Sequence, residues 1–139
     1  MLKTFATICI IGMFTSSCTS KKASRTEGSH EAEQDLTMIV GTYTSGDSKG
    51  LYSFRFNEEN GTATALSEAE VENPSYLVPS ADGKFIYAVS EFSNEQAAAN
   101  AFAFNKEEGT FRLLNTQKTG GEDPCYIITN GSNVVTANY

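Results

Sequence analysis

Two tyrosines, a glutamate and an asparagine stand at the ends of strand-like segments, and their side chains could take part in chemistry. Glu91 could act as a general base or bind a hydroxyl group, or it could be a solvated surface carboxylate. Asn138 could donate a hydrogen bond to a developing negative charge. Tyr76 and Tyr126 could present their phenols to a ligand, or could pack between neighbouring sheets with their hydroxyls bonded to backbone.

The cysteine and histidine content predicts neither a metal centre nor a thiol enzyme. The spacing of Cys9, Cys18 and Cys125 matches no zinc-binding pattern. No histidine follows Cys125, and the single histidine, His30, lies far upstream. We therefore interpret Cys125 as a small hydrophobic residue and not as an activated nucleophile. The polar segment 44–50 has neither the spacing of a phosphate-binding loop nor the acidic ladder of a calcium loop. We expect no metal and no cofactor.

The charge and composition exclude one class of partner and favour one class of fold. The 139 residues carry a formal net charge of −7, which argues against nucleic acid, because phosphate recognition requires clustered Lys and Arg. The chain has nine Phe, six Tyr and eleven Gly, a composition that favours strands and tight turns. The composition does not predict an oligomeric state.

The first 36 residues are predicted to be a leader and a tether. Residues 1–17 combine a short basic start with an apolar run too short to span a bilayer, which is typical of a signal peptide. Small residues precede Cys18, as in a bacterial lipoprotein cleavage box, so we predict lipidation of Cys18; an ordinary secretory signal is the alternative. Residues 18–36 are polar and read as a flexible tether. We expect an exported bacterial protein of the cell envelope, periplasmic or surface-facing, that meets the membrane only through its lipid anchor.

An internal repeat of nearly 50 residues is the strongest pattern in the chain. The segment 54–62 (FRFNEENGT) recurs 48 residues later as 102–110 (FAFNKEEGT). The segment 73–77 (NPSYL) recurs 50 residues later as 123–127 (DPCYI). Strand-patterned repeats of this length are typical of β-propeller blades, each built from four short antiparallel strands. A small sandwich of two hairpin-rich repeats is the alternative.

One complete unit divides into four predicted strands. They cover residues 76–78, 85–90, 101–105 and 111–115, and residues 96–99 are predicted to be a loop. We therefore predict an all-β fold with four-stranded antiparallel blades in residues 37–139, amounting to about two blades. Two blades cannot close a ring and would leave open strand edges, so we expect the chain to be a truncated piece of a larger propeller.

Several motifs, in order and at blade spacing, resemble the lactonase family of seven-bladed β-propellers, which includes 6-phosphogluconolactonases. They are Val40–Thr44 (VGTYT), Asn73–Leu77 (NPSYL), Tyr87–Glu91 (YAVSE) and Gly120–Tyr126 (GGEDPCY). The resemblance implies a hydrolase that opens a small-molecule sugar lactone to the aldonic acid, as in the pentose phosphate route. It also implies seven blades, with the catalytic residues mainly downstream of Tyr139.

Within this family the substrate would sit at the mouth of the central channel, where inner strands and connecting loops converge. Glu91, Asn138, Tyr76 and Tyr126 are the residues expected at that mouth. Lactone hydrolysis would need an activated water and stabilisation of an oxyanion. Because a propeller fold hosts many functions, a non-catalytic envelope protein that binds a glycan or a protein partner is the alternative hypothesis.

Overall fold

Alternation of buried and exposed side chains produces the strands of this protein. In the segment Ala98–Asn105 every second side chain is buried, and Phe102 and Phe104 point to the same face. This period of two fits a strand and no helix. The computed structural model describes residues 35–139, and within that range every regular element is a β-strand.

The nine strands follow the chain in order. They are β1 (Leu36–Gly41), β2 (Gly50–Phe56), β3 (Ala63–Glu70), β4 (Leu77–Pro79), β5 (Phe85–Ser90), β6 (Ala98–Asn105), β7 (Thr110–Lys118), β8 (Pro124–Thr129) and β9 (Val134–Asn138).

The strands form three antiparallel sheets, each built from sequence neighbours. The sheets have the orders β1-β2-β3, β4-β5-β6-β7 and β8-β9. The four-stranded sheet is one whole blade, and the other two sheets lie before and after it in sequence. The predicted all-β class and the four-stranded antiparallel blade are therefore confirmed.

The third and outer strands of the whole blade are longer than the sequence predicts. The residues predicted as a loop, 96–99, include the first two residues of β6, so that part of the prediction is wrong. Ala98 pairs with Ser90 on one side and with Lys118 on the other. Partners on both sides satisfy its backbone groups within the sheet, which outweighs the weak strand propensity of alanine.

The repeat in the sequence is also a repeat in the backbone. The β2–β3 pairing shifts register between Ser53 and Phe54, and the β6–β7 pairing shifts between Ala101 and Phe102, 48 residues later. The turns that follow β2 and β6 both contain a glycine with positive φ. Equivalent bulges and turns show that the two units are built alike, as blades of one propeller would be.

The core lies between the first two sheets. It is formed by the buried side chains Leu51, Ile86, Ala88, Phe102 and Phe104. Burying an aromatic or aliphatic side chain of this kind contributes roughly 1.5–3 kcal/mol, so the interface between the sheets is a main source of stability. The buried Ser53 hydroxyl, in β2, donates a hydrogen bond of 2.6 Å to the carbonyl of Gly109 and joins the same two sheets.

The predicted signal peptide (1–17), the lipidation site Cys18 and the tether up to residue 34 lie outside the described residues. Strand β1 begins at Leu36. Within residues 35–139, no helix is long and apolar enough to cross a membrane.

Candidate functional site

One end of the sheets gathers polar side chains from several connections. Strands β1 and β5 end there, and β4 and β8 begin there. Five residues near these strand ends are linked by contacts, and we call them the Tyr/Glu cluster. They are Tyr43, Ser75, Tyr76, Glu91 and Tyr126. The cluster includes three of the four residues that the sequence predicts for a channel mouth.

Glu91 is the centre of one half of the cluster. It follows β5 directly and is half-buried. Its carboxylate accepts a short hydrogen bond from the hydroxyl of Ser75. The phenol of Tyr43, which lies just after β1, also interacts with this carboxylate. Glu91 is thus held from its own sheet and from the preceding one, which restricts where its oxygens can point.

The electrostatics around Tyr43 are negative. The hydrogen bond to Glu91 raises the pKa of the Tyr43 phenol above its ordinary value of 10.0. Burial and the negative charges of Glu91 and Asp123 raise this pKa further, whereas the hydrogen bond with Ser75 lowers it. At neutral pH Tyr43 is therefore a neutral hydrogen-bond donor beside a carboxylate.

Tyr76 and Tyr126 form the other half of the cluster. Tyr76 immediately precedes β4 and Tyr126 lies in β8, so the two rings meet across neighbouring inner strands. Their centroids are 4.8 Å apart and the ring planes are tilted by 49°. The residues nevertheless remain 41% and 40% exposed. The contact between neighbouring sheets and the access to solvent, which the sequence left as alternatives, therefore occur together.

The backbone before each tyrosine adopts a conformation that is unusual for these residues. Asn73 and Asp123 have φ values of 46° and 47°, and each precedes a buried proline. A positive φ at a residue other than glycine is uncommon and strained. The two strained residues are equivalent in the repeat and set the direction in which Tyr76 and Tyr126 leave the chain.

Side-chain hydrogen bonds hold Asn73 in this conformation. Its Oδ1 accepts bonds from the backbone nitrogen and the hydroxyl of Thr44, both at 3.0 Å. Its Nδ2 donates to the carbonyl of Glu91, and its own carbonyl accepts from the Glu91 nitrogen. Asn73 thereby connects the segments that carry Tyr43 and Glu91.

Asp123 makes the equivalent connections one unit later. Its carboxylate accepts a hydrogen bond of 2.6 Å from the Ser93 hydroxyl, and its backbone nitrogen donates to the carbonyl of Phe92. Its carbonyl accepts a bond of 3.4 Å from the nitrogen of Tyr139. The same loop design therefore recurs at both connections.

Asn138, the fourth residue predicted for the mouth, braces a loop. Its Nδ2 donates to the hydroxyl of Thr119 at 3.1 Å and to the carbonyl of Glu122 at 3.0 Å. Its side chain also lies against Gly121. Both amide hydrogens are used within the chain, so Asn138 supports the loop that leads into Asp123.

Sequence reasoning did not select Tyr43 and Ser75, although signals for both are present. Tyr43 lies 48 residues before Glu91, at the equivalent place in the repeat. Ser75 lies beside Tyr76 in the repeated Asn-Pro-Ser-Tyr motif. What the sequence does not reveal is that their hydroxyls meet the same carboxylate.

The remaining polar features give no metal or thiol centre in the described range. No group of three or more His, Cys, Asp or Glu side chains in residues 35–139 could hold a metal ion. Cys125 is a half-buried free thiol whose Sγ contacts the carbonyl of Ala137 at 3.7 Å.

The sequence of residues 37–139 matches the family described as lactonase, 7-bladed beta-propeller. The chain is 36% identical over 106 residues to a 6-phosphogluconolactonase of Bacillus subtilis, covering 72% of this chain and 29% of that relative. It is also 36% identical over 95 residues to a 6-phosphogluconolactonase of Formosa agariphila, covering 65% of this chain and 26% of that relative.

Two solved structures share the fold over the same region. A proposed 6-phosphogluconolactonase from Bacteroides fragilis superposes with a TM-score of 0.76 and 69% identity, covering 78% of this chain and 31% of that one. A periplasmic gluconolactonase from Pseudomonas aeruginosa superposes with a TM-score of 0.68 and 27% identity, covering 74% and 31%. The chain therefore spans less than a third of the length of these relatives.

Proposed function

Because the chain belongs to the lactonase family of seven-bladed β-propellers, we propose that the whole protein is a hydrolase that opens a sugar lactone to its aldonic acid. The observation that carries this proposal is the match of the family to residues 37–139, together with relatives named as 6-phosphogluconolactonases. These names favour an enzyme over a non-catalytic envelope protein that binds a glycan or a protein.

The reaction defines what the site must supply. Water attacks the lactone carbonyl carbon, a tetrahedral oxyanion forms, and cleavage of the ring C–O bond leaves a carboxylic acid and a hydroxyl. A base must accept the proton of the water, and hydrogen-bond donors must stabilise the oxyanion. We propose that most of these catalytic groups lie in blades beyond Tyr139, and that the Tyr/Glu cluster contributes to the rim of the same channel mouth.

The location of the protein bears on its substrate. We propose that residues 1–17 are a signal peptide, that Cys18 carries a lipid anchor, and that residues 18–36 are a tether to the cell envelope. The similarity to a periplasmic gluconolactonase supports export. Sugar phosphates are cytoplasmic metabolites, so an exported enzyme would act on an unphosphorylated lactone such as glucono-1,5-lactone.

A direct assay of acid release tests the function. The whole protein is incubated with glucono-1,5-lactone and, separately, with 6-phosphogluconolactone, and each rate is compared with spontaneous hydrolysis. We expect faster opening of at least one lactone, with the unphosphorylated one preferred. If neither rate exceeds the spontaneous rate, the lactonase proposal is wrong.

A further inference from the structure

Two exposed aromatic rings side by side are an unusual surface for a polar ligand to ignore. Tyr76 and Tyr126 contact each other yet each keeps about two fifths of its surface open, at 41% and 40%. The face of an aromatic ring carries negative charge density and attracts weakly positive groups. The C–H bonds on one face of a sugar ring are such groups, so adjacent tyrosines can stack against a pyranose.

The strained backbone supports a role in binding for this pair. Asn73 and Asp123 hold positive φ values two or three residues before the rings. Strained residues of this kind persist where the surrounding structure over-determines them, and they cluster at ligand sites. Here the strain occurs twice, once before each ring, so both rings are carried on pre-formed loops.

A fixed carboxylate lies beside the rings. Ser75, whose hydroxyl binds Glu91, is the chain neighbour of Tyr76, and consecutive Cα atoms lie about 3.8 Å apart. An ionised carboxylate offers about four lone-pair positions, and the hydroxyls of Ser75 and Tyr43 use about two of them. About two remain to accept hydrogen bonds from the hydroxyls of a ligand.

The charge at this place selects between classes of ligand. The charges that act on Tyr43 are those of Glu91 and Asp123, and both are negative. Lys49, which lies just before β2, is paired with Glu70 at 2.8 Å. A phosphate would be repelled here, whereas an uncharged polyhydroxy ring would find aromatic faces and hydrogen-bond acceptors.

We propose that Tyr76, Tyr126 and Glu91 form a binding site for an uncharged sugar ring, in which the tyrosines stack on the ring and Glu91 accepts its hydroxyl hydrogens. Ser75 and Tyr43 are positioning residues that orient the carboxylate. The site deepens the proposed lactonase function, on which its biological substrate rests, because it would hold the sugar ring of the lactone. Binding of the ring itself can be measured without any hydrolysis.

The test uses the whole protein and 1,5-anhydro-D-glucitol, a pyranose that has no lactone carbonyl. Its dissociation constant is measured by ligand-observed NMR. We expect Tyr76→Leu and Tyr126→Leu each to weaken binding about three- to tenfold, since an aromatic contact of this kind is worth roughly that factor. Tyr76→Phe and Tyr126→Phe retain the rings and should bind within about twofold of the wild type.

Glu91→Gln tests the carboxylate separately from the rings. It retains the size of the side chain but replaces one acceptor oxygen with a donor, so binding should weaken by about three- to tenfold. Thermal unfolding confirms that each variant is folded. Wild-type affinity in both leucine variants, or no detectable binding of the sugar to the wild type, overturns the proposal.

Hydrolysis measured on the same preparations separates this proposal from the proposed function. If sugar binding is lost in the leucine variants but no lactone is opened, the lactonase proposal fails and the sugar site stands. If glucono-1,5-lactone is opened with an unchanged KM in both leucine variants, the function stands and the sugar site is wrong. If both proposals hold, KM rises about three- to tenfold with little change in kcat, because the lost contacts bind the ring and not the reacting carbonyl.

Discussion

Tyr43 and Glu91 occupy equivalent positions in consecutive repeats, 48 residues apart, and the phenol of one faces the carboxylate of the other. Each residue follows the strand that leads to the same end of its sheet. A repeat that places a donor and an acceptor at matching positions thus produces a contact between neighbouring sheets. The Ser75 hydroxyl, at the entrance of the inner strand, completes the arrangement.

The titration of Tyr43 is the first prediction. Its pKa is raised above 10.0, first by the hydrogen bond to Glu91. The contribution of this tyrosine to stability is therefore fully present below pH 10 and is lost as the pH rises through its higher, folded-state pKa. The phenol should titrate above free tyrosine in an NMR titration of the Cζ carbon, with Tyr43→Phe providing the assignment. Glu91→Gln should lower this pKa toward 10; an unchanged value in Glu91→Gln would exclude the carboxylate as its cause.

The glycine that closes the β6–β7 turn gives a second prediction with a built-in control. Gly109 has a φ of 74°, and a Cβ there would lie 2.7 Å from Leu66 Cβ and 2.7 Å from Ser53 Oγ. Its equivalent, Gly61, has a φ of 72° but no atom within 4 Å of the same position.

Replacing each of these glycines with alanine separates backbone strain from crowding. Both variants should lose about 1–2 kcal/mol from the positive φ. Gly109→Ala should lose about 1–3 kcal/mol more, because it over-packs the interface between two sheets. Urea unfolding of the whole protein measures the difference. Equal losses in the two variants would show that the contact with Ser53 and Leu66 relaxes freely.

A third prediction concerns the side chain of Asn73. Asn73→Ala removes the acceptor for Thr44 and the donor to the Glu91 carbonyl, and it leaves a positive φ without side-chain support. We expect a loss of about 1–3 kcal/mol in unfolding free energy. Asn73→Asp retains the acceptor and copies the residue found at position 123, so its loss should be smaller. A loss in Asn73→Asp as large as in Asn73→Ala would contradict the role given to the Thr44 bonds.

The fourth prediction concerns the free thiol. Cys125 is half-buried, and its sulfur contacts a backbone carbonyl in the paired strand β9. A residue with this packing role should tolerate Cys125→Ala, with lactone hydrolysis changed by no more than about twofold. The assay is the rate of acid release by the whole protein, before and after alkylation of the wild type. A loss of about a hundredfold or more in Cys125→Ala would identify a nucleophile instead.

Much of the fold follows from local patterns. The two copies of the Phe-x-Phe-Asn turn motif predict a strand and a glycine turn at the same place in each unit, and the structure has them at β2 and β6. The start of β6 was missed because Ala98 and Ala99 carry little strand propensity. Their place in the sheet depends on partners in β5 and β7, which are distant in sequence.

For the site, the sequence by itself determined that Glu91, Tyr76 and Tyr126 stand at strand ends, because a period of two and a repeat of nearly 50 residues place strand ends without any knowledge of packing. Only the tertiary structure decided that Tyr43 and Ser75 hold Glu91, that the two tyrosine rings touch, and that the amide of Asn138 braces a loop. These contacts join residues of different sheets or of a loop and a distant strand. Their formation depends on how neighbouring sheets pack and on two strained loop residues, which a strand pattern does not encode.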